Sequence, residues 1–232
     1  WTLEGTWRLA VIGWVSSLVL AWRLRYVSTT SERQRDGVQY DVLPEFRRLF
    51  LPLAAVLLLR DFMLTGMSTF LAVMLEGQGY TLDQASAALS LWFFAGVAGA
   101  LSGGTVSDRI GRKRTLAIAL TGAGVLLLVF LHSSGWVMIP VLLLLGFTGL
   151  SVTPVVHALV LEHLPEHRAT GSGLFMLTSS VIRLGTAPLI GVMGDSVGLW
   201  AVFLLAAVLT LAAVPLVWLL PNSDHRQATP AD

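Results

Sequence analysis

Arg60 and Asp61 stand side by side in one apolar run of the chain, and Arg183 stands alone in another. A charged side chain at the centre of a membrane helix costs about 2.5–3.5 kcal/mol, so these three require partners or a wet cavity, and function is the default explanation. Successive helical residues point about 100° apart, so Arg60 and Asp61 cannot simply cancel each other. Either Asp61 pairs with Arg183 across helices while Arg60 faces a cavity, or the assignment is reversed. A cavity-lining aspartate can take up and release a proton. Cavity-lining arginines suit an anionic substrate such as a carboxylate or phosphonate. The plainer alternative is a buried ion pair that only fixes helix packing. His157, in a third apolar run, is either a proton relay or a packing residue.

A second concentration of charge lies at residues 103–115, GGTVSDRIGRKRT, which hold one acid and four of the 15 Lys and Arg residues. Gly99 and Gly103 fall four apart with Ala95 one turn earlier, a thin helix face that admits a close neighbour. Gly104 extends it. Asp108 lies one further turn along, where its carboxylate can meet a cation or a helix N-terminus on an adjacent helix. Gly111 permits the tight turn that so short a connection needs. Arg112, Lys113 and Arg114 sit where anionic headgroups add about 1 kcal/mol each. Other chemistry is weaker. His163, Glu166 and His167 spell H-x-x-E-H, a zinc-protease signature, but Pro165 interrupts the helix it needs and no third ligand is evident. His132 with Ser133 and Ser134 lacks an orienting acid and reads as a polar loop.

The elements that position these residues follow from composition. The chain is 55% hydrophobic and 12% charged, with a mean hydropathy of +0.75. Soluble domains carry about twice that share of charge, so this is a membrane protein. No cysteine is present, which excludes disulfides and thiolate metal sites. A net charge of +1 points to no nucleic-acid partner. The chain opens on Trp1 rather than Met, which reads as a fragment or processed product. Crossing about 30 Å of hydrocarbon takes about 20 residues per helix. Seven such spans are expected, at 5–22, 49–75, 84–106, 115–132, 136–161, 171–193 and 198–220. Each must be helical, because lipid offers no partner to a bare backbone. Cations mark the cytoplasmic connections, and here they occupy alternate ones only. The first (Arg23 to Arg48), the third (Arg109 to Arg114), the fifth (Arg168) and the tail (Arg226) are basic, while the connections between them are not. The C-terminus therefore faces the cytoplasm. Gly5-Thr-Trp7 and Gly198-Leu-Trp200 open the first and last spans alike. With an odd helix count, this suggests the last helix of one repeat (1–24), a cytoplasmic linker (25–48), a complete six-helix repeat (49–220) and a tail (221–232).

With those elements in place, G104-TVS-D108-R109-I-G111-R112-K113-R114 resembles the G-x-x-x-D-R-x-G-R-[RK]-[RK] signature of the major facilitator superfamily. The resemblance implies an all-α polytopic bundle equivalent to helices six to twelve of a twelve-helix carrier, requiring the N-terminal half as partner. It also implies that Asp108 bridges helices on the cytoplasmic side and stabilises one access state, with Arg168 or the helix start after Ala169 as its partner. Residues 153–195, TPVVHALVLEHLPEHRATGSGLFMLTSSVIRLGTAPLIGVMGD, are similar to fosmidomycin-resistance-type efflux carriers. That likeness implies a proton-coupled exporter of small drugs in the inner (plasma) membrane, with no cofactor. An uptake symporter for an organic anion or sugar is the alternative. A membrane metalloprotease and a non-transporting receptor are remote ones.

Overall fold

The structure, a computed structural model, describes residues 43–164 and 168–220, with side chains from Phe50 onward, and Trp14, Leu18, Val19 and Trp22 of the preceding segment. Those four residues are helical and exposed. The remainder of the expected 5–22 span, most of the 25–48 linker and the tail from 221 lie outside the described residues.

The described part of the compact unit that starts at Leu43 is wholly helical. Helix α1 (Leu43–Thr65) passes through a π turn (Gly66–Phe70) into α2 (Leu71–Gly77); α3 (Leu82–Ile110) and α4 (Arg112–Leu131) follow. A 3-10 turn (Gly135–Val137) leads into α5 (Met138–His163), and α6 (Arg168–Val197) and α7 (Leu199–Val217) complete the order. Six helical stretches among the described residues are long and apolar enough to cross a membrane. They match the six expected spans from residue 49 onward, with two differences. The first helix reaches back to Leu43, into the expected linker. Pro44 falls in its first turn, where a missing N–H costs nothing. The π turn in the first span was not expected: it accommodates one extra residue per turn beside the buried ring of Phe203, which lies 3.8 Å from where a Gly66 side chain would begin.

Lipid tails are as apolar as leucine, so helices inside a bilayer associate through close packing rather than water exclusion. The most extensive contact is α3 on α5, and glycine makes it. A Cβ built on Gly99 would lie 2.0 Å from the Phe147 carbonyl oxygen, so the two backbones touch there and only a bare Cα fits. Gly146 of α5 returns the contact against the Trp92 carbonyl. The stripe expected from Gly99 and Gly103 thus has α5 as its neighbour. At the end of α3, Gly111 takes φ +97, a value other residues avoid, and turns the chain into α4 within one residue.

The apolar interior is divided in two. One cluster gathers Met67, Leu71, Trp92, Leu127, Leu142 and Phe203; the other gathers Leu53, Val56, Leu120, Val156, Leu159 and Val217. Buried polar side chains fall between them: Arg60 and Asp61 on α1, Ser151 on α5, Thr210 on α7. Of these helices α6 is the least covered, with Met176, Leu177, Val181, Leu184 and Val192 all exposed.

Candidate functional site

Helices α1, α5 and α6 enclose a cleft of about 250 Å3 at the level of the polar layer. Arg60, Asp61, Thr153, Ser179, Ser180 and Arg183 supply its polar wall, and Leu57, Leu64, Phe175, Met176 and Ile182 its apolar one. All three intramembrane charges expected from the sequence meet here.

The two arginines are held differently. Arg60 is 3% exposed; its Nη2 donates to the Gly149 carbonyl at 3.1 Å and to Thr153 Oγ1 at 2.6 Å. Its Nε is buried without a hydrogen-bond partner. Its hydrogen bonds thus go to neutral acceptors only, and its charge is offset by the field of the adjacent Asp61 rather than by a contact ion pair. The Arg183 side chain is 61% exposed and reaches Asp61 only loosely, Nε to Oδ1 at 3.8 Å. The other carboxylate oxygen of Asp61 accepts from Thr65 Oγ1 at 2.9 Å, one turn along the same helix. Asp61 therefore stands nearest Arg183 across helices, as in the first arrangement open from the sequence, whereas Arg60, given a cavity-facing place in that arrangement, is buried and hydrogen-bonded to α5. The cleft carries two cations and one acid, together with hydroxyls and an aromatic wall, so it can attract an anion.

His157 stands apart from these charges. Its Nε2 shares a hydrogen bond of 2.8 Å with Ser172 Oγ, and its ring stacks on Phe175 with centroids 5.0 Å apart. Those contacts tie α5 to α6 behind the cleft wall.

At the charged turn the arrangement differs from expectation. Asp108 does not meet Arg168, which lies exposed at the start of α6. Its partner is Arg112, at 2.6 Å, one turn on across the Gly111 turn. Arg112 also binds Glu162 at the end of α5, Nε to Oε1 at 2.9 Å and Nη2 to Oε1 at 2.7 Å, and donates to the buried Ser107 hydroxyl. The expected bridge between helices is therefore built by the arginine, whose fork of N–H groups spans two carboxylates. Arg112 is consequently not a headgroup contact, and Lys113 donates to the Leu220 carbonyl, three residues past the end of α7. Arg109 and Arg114 remain exposed. Gly104, the first residue of the signature, has nothing within 4 Å of where its Cβ would be.

Helix α5 ends at His163, whose Nδ1–H donates back to the Leu159 carbonyl at 2.9 Å; the rest of the H-x-x-E-H stretch, residues 165–167, lies outside the described residues. No group of three metal-ligating side chains occurs among the described residues.

Thr153, Thr65, Ser107 and Glu162 escaped the sequence reading. Thr65 was within reach of it, four residues from Asp61 on one helix face. Thr153 and Glu162 contact residues 93 and 50 positions away, and no local spacing reports such a pairing.

Membrane-length helices around a charge-lined cleft, two of them joined by an ion-paired turn, define a polytopic membrane protein. The family model of the Major Facilitator Superfamily matches residues 53–232, and the chain belongs to that superfamily, a family of transporters rather than enzymes. Among curated proteins it is similar to solute carrier family 22 member 7 from Sus scrofa, 36% identical over 139 residues, and from Homo sapiens, 34% identical over the same length. Each match covers 59% of this chain and 25% of the relative, so the matched stretch is a quarter of those proteins' length.

Proposed function

We propose that this chain supplies the C-terminal half, with the helix before it, of a secondary active transporter of the plasma membrane that works by alternating access. In this reading the cleft binds a small organic anion, a companion half completes it, and the charged turn and the C-terminus face the cytoplasm. The observation that carries it is the charge count of the cleft: Arg60 and Arg183 against Asp61, with the Arg60 Nε unpartnered. The similarity to proteins named solute carriers supports it.

Asp61 sets the coupling. While charged, it competes with the substrate for Arg183, 3.8 Å away. A proton on Asp61 ends that competition and leaves the cleft with two cations, so proton and anion bind with mutual reinforcement. Carriage of both together is uptake symport. Efflux in exchange for protons, as in fosmidomycin-resistance-type carriers, requires proton and substrate to exclude each other. That suits a cation competing for Asp61, which two arginines would repel.

The test is uptake of labelled benzoate by cells and proteoliposomes containing the full-length transporter, with and without a protonophore. Uptake should rise with an inward proton gradient and fall when the protonophore is added. Arg183→Ala should raise KM for benzoate, and Asp61→Asn should insert normally but lose the response to the gradient. Accumulation that increases with the protonophore identifies export instead, and an unchanged benzoate KM in Arg183→Ala leaves the pair a packing device.

A further inference from the structure

Hydroxyls in membrane helices ordinarily return their proton to a carbonyl three or four residues back, which leaves no bare donor in an apolar medium. Thr148, Ser151, Ser180, Thr186 and Thr210 all do so, at 2.7–2.8 Å. Thr153 does not. The carbonyl four residues back, Gly149, accepts from Arg60 instead, and the Thr153 oxygen accepts from the same Arg60 nitrogen. A hydroxyl has one proton and two lone pairs, so an oxygen turned toward Arg60 keeps its proton for another acceptor. Thr153 is exposed to the cleft and makes no other hydrogen bond among the described residues. Ser179, on the α6 wall, likewise donates to no described atom.

We infer that Thr153 is a specificity-determining residue that reads the bound anion: its hydroxyl donates to an oxygen of the group that Arg60 neutralises, and Ser179 reads that group from the α6 side. The inference rests on the reading of the cleft as an anion site and narrows it. Four side chains with a donor to spare, Arg60, Thr153, Ser179 and Arg183, converge on the cleft, where Ser180 is committed to the Met176 carbonyl and Asp61 is the one carboxylate. The matching ligand has two or more acceptor oxygens on its charged end, as a carboxylate, sulfonate or phosphonate has. An anion with a single acceptor leaves a donor unpaired, which is how such a site discriminates. Arg60 is committed to α5 through one nitrogen, so Thr153 also fixes the direction from which the ligand is met.

The experiment measures benzoate and phenylphosphonate binding to the purified full-length transporter by calorimetry, and KM and maximal rate in proteoliposomes. Thr153→Val keeps the shape and removes the hydroxyl. It should weaken both probes about tenfold or more, the usual effect of losing a hydrogen bond to a charged group, by raising KM while the maximal rate holds. Thr153→Ser should restore binding to within about threefold. Wild-type affinity in Thr153→Val alongside weakened binding in Arg183→Ala overturns this inference and leaves the anion site standing. Failure of the wild-type protein to bind either probe, or wild-type affinity in Arg183→Ala, removes the anion reading and this one with it. Thermal unfolding of each variant completes the set. If Thr153→Val and Thr153→Ala do not fold while Thr153→Ser does, the hydroxyl is a packing element and the proposal falls.

Discussion

Gly99→Ala adds one methyl group where α3 and α5 meet backbone to backbone. The new Cβ would stand 2.0 Å from the Phe147 carbonyl oxygen and 2.7 Å from its carbon, against about 3.4 Å for ordinary contact. The helices would have to part by roughly 1.4 Å locally, and no flexible side chain is there to yield instead. Overpacking of this kind typically costs about 1–3 kcal/mol, and with backbone on both sides the upper part of that range applies. The strain reaches the cleft, because α5 carries Gly149 and Thr153, which hold Arg60 through contacts of 3.1 and 2.6 Å. A displacement of α5 on that scale exceeds the slack of a hydrogen bond, so anion affinity should fall together with stability. Gly104→Ala, five residues along in the same helix and on a different face, is the control. Nothing lies within 4 Å of the added methyl, so the cost should stay within about 0.5 kcal/mol, with helix propensity favouring alanine. Thermal and denaturant unfolding of the chain in detergent, followed by tryptophan emission, compares the two. Equal stability of Gly99→Ala and Gly104→Ala would refute the glycine contact as the element that sets the distance between α3 and α5. A cost at Gly104 that appears only in the full-length transporter would identify the motif glycine as a seat for the companion half.

Arg112→Lys keeps the charge but loses the fork that spans Asp108 and Glu162. It should cost about 1 kcal/mol or less, since both carboxylates are substantially exposed, and Arg112→Ala somewhat more; unfolding midpoints measure both. Loss of this bridge should also shift the balance of access states, read as altered reactivity of a cysteine placed in the cleft at Ser179. Topology can be tested without removing background thiols, because the chain has none. Cysteine at Ile110 should react with an impermeant reagent only from the cytoplasmic side, and cysteine at Trp136, 87% exposed in the opposite connection, only from outside.

What the sequence revealed and what it hid divide along the range of the interactions involved. Helices reveal themselves because the bilayer demands about 20 apolar residues in a row, a requirement each segment meets alone. The same holds for the thin face at Gly99 and Gly103, which periodicity exposes, although the identity of the helix lying on it is not written in that stretch. Charges in apolar runs announce themselves by their cost, which is why Arg60, Asp61 and Arg183 were visible before the cleft was. Their neutral partners had no such cost to advertise. A threonine in a membrane helix usually satisfies itself, and although Pro154 follows Thr153 where no proline follows Thr148 or Thr210, it does not foretell otherwise; the difference that matters arises when Arg60 arrives from α1 and donates to both the Gly149 carbonyl and the Thr153 oxygen. The turn at Asp108 shows the complementary error. A basic run near a membrane surface has a sufficient explanation in headgroup attraction, and that explanation hid the contact of two Arg112 nitrogens with one oxygen of Glu162. In a carrier the pairings that matter for movement are of this second kind, long-range and polar. They must exchange between states, and a contact that local sequence alone enforced would not be free to break.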